Sequence, residues 1–127
     1  DYNQRLNVVA SADIALDSFP YHGTTTTCET LWMSVPWITL AGDRHASRVG
    51  VSILRNVGLD DLIATSEADY IEKSVALAGD PARLARLRNE IRQRMRASAL
   101  LDAEVFCRNL DSALRDLWSR WCRRGVA

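Results

Sequence analysis

The chain has 127 residues, 47% of them hydrophobic, enough for one domain with a real core; intrinsic disorder and low-complexity repeats are excluded. Sixteen basic residues balance sixteen acidic ones, so no global field draws the chain to nucleic acid, a membrane or an acidic partner. Fifteen of the sixteen bases are Arg, with Lys73 the exception.

Up to Ser11 the chain has no clear period, and its start at Asp1-Tyr2-Asn3 reads as cut from something longer. Asp13 to Asp17 is a short apolar run bounded by acids, as in a buried strand with exposed ends. Phe19 to Gly23 breaks it. From Thr24, the positions Cys28, Leu31, Trp32 and Val35 form one helical face, and Pro36 ends that helix. Trp37 to Leu40 is a second strand, stopped by Ala41-Gly42-Asp43. Ala46 to Val57 returns to helical spacing, and Gly58 supplies its stop. Leu62 to Ala64 is a third, very short strand. Thr65-Ser66-Glu67 then offers a cap and an acid for a helix to about Ala78. Gly79-Asp80-Pro81 is stop, N-cap and first-turn proline for the next helix, whose stripe is Leu84, Leu87, Ile91 and Met95. Its other faces carry six arginines, including Arg83, Arg88, Arg92, Arg94 and Arg96. The last helix starts near Asp102, with Phe106, Leu110, Leu114, Leu117 and Trp121 as its seam and Trp118 alongside.

Strand alternating with helix predicts an α/β fold with a parallel sheet, followed by two long helices. Two or three strands are fewer than a doubly wound sheet has, so the chain reads as a single fragment of a larger nucleotide-binding domain. Residues 1–80 would form the α/β part and 81–127 the C-terminal helices. No apolar run approaches the roughly 20 residues of a membrane span. Cys28, Cys107 and Cys122 form no close pair and no metal-type spacing, which predicts a reduced, cytoplasmic chain.

Gly23-Thr24-Thr25-Thr26-Thr27-Cys28-Glu29 follows a strand and opens a helix. In a parallel sheet that place is the carboxyl edge, where a helix start offers free N–H groups and partial positive charge to a phosphate. Gly23 permits close approach, the threonines add hydroxyls, and Glu29 is placed to accept from ribose hydroxyls. An ordinary N-cap with an acid favouring the dipole fits the same residues. Arg44 and Arg48 follow the second strand at the same edge, either to reach phosphate or to pair with Asp43 or Glu67; of the two, Arg48 is the choice for phosphate. His22, His45 and Cys28 share no ligand spacing, which argues against a metal or Cys–His site. The arginine-rich helix lacks exposed aromatics between its bases and has acids nearby, which favours a solvated face or a contact between lobes over nucleic acid.

The run from Asp13 through Gly23-Thr24-Thr25-Thr26-Thr27-Cys28-Glu29 to Trp32-Met33, then Val35-Pro36 and Thr39 to Gly50, resembles the C-terminal catalytic region of the SPINDLY-like, protein O-GlcNAc transferase family. The likeness continues through Val57-Gly58-Leu59, Leu62-Ile63-Ala64, Tyr70, Asp80-Pro81, Arg94 to Ser98 and Leu101-Asp102. It implies half of the Rossmann-like C-terminal lobe of a GT-B glycosyltransferase, usually preceded by tetratricopeptide repeats. It also implies metal-free, inverting transfer of a sugar to Ser or Thr of an acceptor protein, with UDP-GlcNAc as first-choice donor and GDP-fucose as second. The resemblance gives Gly23, Thr24, Thr25 and Thr26 to the diphosphate and Glu29, where Asp is usual, to the ribose. It gives Arg48 as a recurring member of its Ala-Ser-Arg-Val pattern. The sequence departs from the family between Arg5 and Ala10, where a His and often an Arg are usual, at His22 for Asn and at Thr24 for His. The family's leaving-group Lys and its N-terminal lobe lie upstream of this chain's start, so the catalytic residues are expected outside it and the fragment alone should not transfer sugar. The alternative is a non-catalytic interaction domain that kept the fold and lost donor binding. In the family the final helices pack toward the N-terminal lobe, so Trp118 and Trp121 are expected to drive self-association of the fragment.

Overall fold

A computed structural model describes residues 1–124. Three short parallel strands, β1 (Ala15–Leu16), β2 (Trp37–Leu40) and β3 (Ile63–Ala64), form a sheet in the order β1-β2-β3. Ala15 stands opposite Trp37, and Thr39 opposite Ile63. The helices are α1 (Tyr2–Ala10), α2 (Thr25–Trp32), α3 (Val49–Val57), α4 (Glu67–Ala78), α5 (Pro81–Arg96) and α6 (Ala103–Arg123). The predicted α/β class and its alternation are what the structure has. The final residues of the expected helical part, 125–127, lie outside the described residues.

The central strand β2 is buried at all four positions, as a strand covered on both faces must be. Helix α3 turns Val51, Ile53, Leu54 and Val57 inward, and Gly58, at φ 70°, closes it in the left-handed region. Leu31 of α2, Ile38 of β2 and Leu54 of α3 meet Leu77 of α4 and Ile91 of α5 in one core cluster. Burying each such side chain stabilises by about 1.5–3 kcal/mol. Helix α5 packs on α2, α3 and α4, with Leu87, Ile91 and Met95 facing in. The anticipated caps are in place: Ser66, Asp80 and Asp102 accept from the N–H groups of Asp69, Arg83 and Val105.

Three expectations are corrected and a fourth is extended. The stretch before Ser11 is a helix, α1, capped by Asp1; it buries no residue, so it carries no apolar stripe strong enough to announce itself. The first strand is an edge strand of two residues, so Leu16 is exposed while the acid after it, Asp17, is buried. The helix expected from Ala46 is a single 3-10 turn, His45–Ser47, before α3 begins at Val49. Finally, the α5 arginines are largely solvent-exposed, as a solvated face would be, but three of them also tie the helix to distant backbone. Arg88 donates to the carbonyls of Ala10 and Ala12 at 2.9 and 2.5 Å, Arg92 to Trp32 at 2.6 Å, and Arg94 to Gly58 at 2.8 Å. Arg92 and Arg96 also lie over the Trp32 ring, each 5.5 Å from its centre.

Candidate functional site

The site grows from the carboxyl ends of β1 and β2, where the chain leaves the sheet for α2 and for α3. After β1, the N–H of Gly23 donates to Asp17 Oδ1 at 3.0 Å and fixes where the next segment starts. A Cβ on Gly23 would stand 2.7 Å from Thr26 Oγ1 and 2.8 Å from Thr27 Oγ1, so the turn closes only because this residue has none. Thr24 is the N-cap of α2 but makes no side-chain capping bond. The first bond counted back into the helix runs from Cys28 N–H to the Thr24 carbonyl at 3.0 Å. By helix geometry the N–H groups before it have no intrahelical partner, and Thr24, Thr25 and Thr26 are exposed beside them. Thr27, fully buried beneath, has a hydroxyl without a hydrogen-bond partner among the described residues.

A cleft of about 620 Å³ opens between α2 and α3, lined by Thr24, Cys28, His45, Arg48, Ser52 and Asn56 among others. Arg48 caps α3 and is exposed; one of its N–H groups donates to the Gly42 carbonyl at 2.9 Å, which steadies the guanidinium without an acid beside it. Arg44 instead reaches toward Asp43 at 3.8 Å with both side chains in solvent, a pair worth little. Lys73 is 3.4 Å from Asp69, one helical turn away. The structure therefore brings Thr24 and Arg48 to one cleft; Gly23 adjoins Thr24 in sequence, and Thr25 and Thr26, though exposed, are not part of its lining.

Glu29 goes elsewhere. It lines a second cleft of about 300 Å³ with Tyr2, Leu6, Cys28, Trp32 and Met95. Its Oε1 accepts from the Tyr2 hydroxyl at 3.0 Å and from Arg5 at 2.8 Å. That hydrogen bond to the carboxylate raises the Tyr2 phenol above its ordinary pKa. Cys28 stands on the wall common to both clefts, and burial, helped by the Glu29 charge, raises its thiol pKa. No group of three or more His, Cys, Asp or Glu able to hold a metal ion occurs among the described residues.

Sequence reasoning missed Tyr2, Arg5, Ser52 and Asn56. Arg48, Ser52 and Asn56 repeat every four residues on the face of α3 away from the core stripe, a signal that could have found them.

The sequence pattern of glycosyl transferase family 41 matches residues 5–110. Over 110 residues the chain is 49% identical to a tomato (Solanum lycopersicum) protein called probable UDP-N-acetylglucosamine–peptide N-acetylglucosaminyltransferase SPINDLY, covering 87% of this chain and 12% of the relative. The Arabidopsis thaliana protein of the same description is 48% identical over 114 residues, covering 90% and 12%. A Caenorhabditis elegans UDP-N-acetylglucosamine–peptide N-acetylglucosaminyltransferase is 31% identical over 110 residues, covering 87% and 10%. Among solved structures, a mutant O-GlcNAc transferase from Thermobaculum terrenum superposes with a TM-score of 0.88 at 36% identity, covering 97% of this chain and 24% of that one. The chain thus spans about an eighth of the length of the SPINDLY relatives it matches.

Proposed function

Because this chain belongs to glycosyl transferase family 41, we propose that it is the nucleotide-diphosphate-binding part of the C-terminal lobe of a protein O-glycosyltransferase. In this reading residues 1–80 supply the α/β part, and α5 and α6 follow it as the C-terminal helices. The donor is a nucleotide-diphosphate sugar: UDP-GlcNAc first, in line with the relatives' names, and GDP-fucose second. The acceptor is a Ser or Thr hydroxyl of a protein. The observation that carries this reading is the start of α2. There, Thr24 lines a cleft that also holds Arg48, and the exposed Thr25 and Thr26 follow it in the first turn, whose N–H groups have no intrahelical partner.

In the proposed reaction the acceptor oxygen bonds to the anomeric carbon, with inversion, as the bond from that carbon to the diphosphate breaks. The hydroxyl proton passes to a base, and the departing diphosphate gains negative charge. The positive end of α2, the hydroxyls of Thr24 to Thr26 and the Arg48 guanidinium stabilise that charge. The base, the leaving-group cation and the acceptor site belong to the rest of the enzyme, so this chain by itself does not transfer sugar.

Titration of the full-length protein with UDP and with GDP tests the reading. Binding of one of them below about 1 mM is expected, and changing Thr25 and Thr26 together to Val should weaken it about tenfold or more. No binding at that concentration, or binding indifferent to the two substitutions, would sink it. The second reading, a domain that keeps the fold without binding a donor, draws on Glu29, whose Oε1 is already engaged by Tyr2 and Arg5. The same titration decides between the two.

A further inference from the structure

Three polar side chains are buried where the loop after β1, strand β2 and the start of α3 meet: Asp17 at the end of β1 (6% exposed), His22 in the loop after it (1%) and Thr39 on β2 (0%). Buried polar groups are costly unless paired, and these are paired to one another and to two pieces of backbone that matter. Asp17 Oδ1 accepts the Gly23 N–H at 3.0 Å, and its Oδ2 accepts the Thr39 hydroxyl at 2.7 Å. His22 Nε2 is 3.0 Å from the Leu40 carbonyl and its Nδ1 is 3.1 Å from the Gly50 N. A carbonyl only accepts and an amide N–H only donates, so these two contacts have Nε2 donating to Leu40 and Nδ1 accepting from Gly50; Asp17 Oδ2 and the Thr39 hydroxyl also lie 3.3 Å from Nδ1. Tyr70, from α4, donates to the Asp17 carbonyl at 2.8 Å and holds the acid from the other side. Gly50 lets α3 come this close: a Cβ there would collide with Asp17 Oδ2 and stand 2.6 Å from Thr39 Oγ1.

We propose that Asp17 and His22 are positioning residues for the donor site, a latch that sets its two walls against each other. The inference rests on the donor-binding reading above and adds to it the residues that hold the site in shape. Gly23, held by Asp17, immediately precedes the three threonines. Gly50, held by His22, lies two residues past Arg48. One buried cluster, anchored on the central strand through Thr39 and Leu40, therefore fixes both the helix start and the guanidinium that face the cleft. A displacement of about 1 Å in such a frame costs up to about a hundredfold in function, without any change to a residue that touches the ligand.

The test compares His22→Leu, His22→Asn and Thr39→Val in the full-length protein, reading UDP and GDP affinity beside thermal stability. Asn can place its carbonyl oxygen near the position of Nδ1 and accept the Gly50 N–H, but it cannot reach the Leu40 carbonyl. Both substitutions at His22 should therefore lower Tm, while only His22→Leu weakens nucleotide binding, about tenfold or more, and His22→Asn stays within about threefold of the unaltered protein. Affinity falling in step with Tm for both, or a folded His22→Leu protein binding as before, would overturn the proposal. Thr39→Val keeps volume and removes only the hydroxyl on Asp17; it should weaken binding about threefold, and unchanged affinity counts against the latch even where His22→Leu does not fold. Loss of binding in the Thr25, Thr26 double variant with no effect at His22 or Thr39 refutes the latch alone. Indifference of that double variant refutes the donor site itself.

Discussion

Cys28 occupies the wall between the two clefts, where burial and the neighbouring Glu29 charge both disfavour its thiolate. Cys107 and Cys122, by contrast, are exposed on α6. Since the thiolate is the reactive form, an alkylating reagent at about pH 8 should modify Cys107 and Cys122 well before Cys28. Peptide mass spectrometry over a time course checks this, and early modification of Cys28 would show the site more open than described. At this scale the helix start proposed to face the donor was legible in the sequence, because glycine followed by threonines after a strand has a direct chemical meaning. The groups behind them were not. An acid at a strand end normally faces water, and nothing local says that Asp17 turns inward to Gly23 and Thr39 or that His22 meets Gly50, 28 positions away.

Elements with a strong period were readable, and those shaped by tertiary contacts were not. The caps at Ser66, Asp80 and Asp102 and the stop at Gly58 follow from side-chain and backbone chemistry within one turn, so sequence locates them. Helix α1 hides because it has no buried stripe; its ties are Tyr2 and Arg5 to Glu29, and its last carbonyl to Arg88. The ties that Arg88, Arg92 and Arg94 make from the exposed side of α5 were not readable, because their partners are carbonyls of distant segments, which no spacing rule reveals. Helix α6 was located but stands apart: its seam of Phe106, Leu110, Leu114, Leu117 and Trp121 is exposed, and Trp118 stacks on Trp121 at 5.1 Å. The proposed cover in the full-length protein is the remaining lobe, and in the isolated chain a second copy is the expected substitute. Sedimentation of the isolated chain should show association that rises with concentration and is abolished by Leu114→Glu with Trp121→Glu. A monomer at every concentration would mean the face needs no cover.

Taken whole, the molecule is a three-stranded slice of a parallel sheet with helices packed around it, held by a core that threads all three strands' neighbours. It matches a solved O-GlcNAc transferase over 97% of its own length and 24% of that chain. The balanced net charge also agrees with the local picture: the positive character proposed to matter is concentrated at one helix start and one arginine, while most other arginines are bound to carbonyls and carboxylates. The central claim is that a nucleoside diphosphate sits at that helix start. Hydrogen–deuterium exchange of the full-length protein, with and without saturating UDP or GDP, tests it most directly. The account predicts that the nucleotide slows exchange of amides 23–27 and 48–50 and leaves α6 unchanged. Binding that leaves those amides unaltered, with protection only elsewhere in the chain, would contradict it.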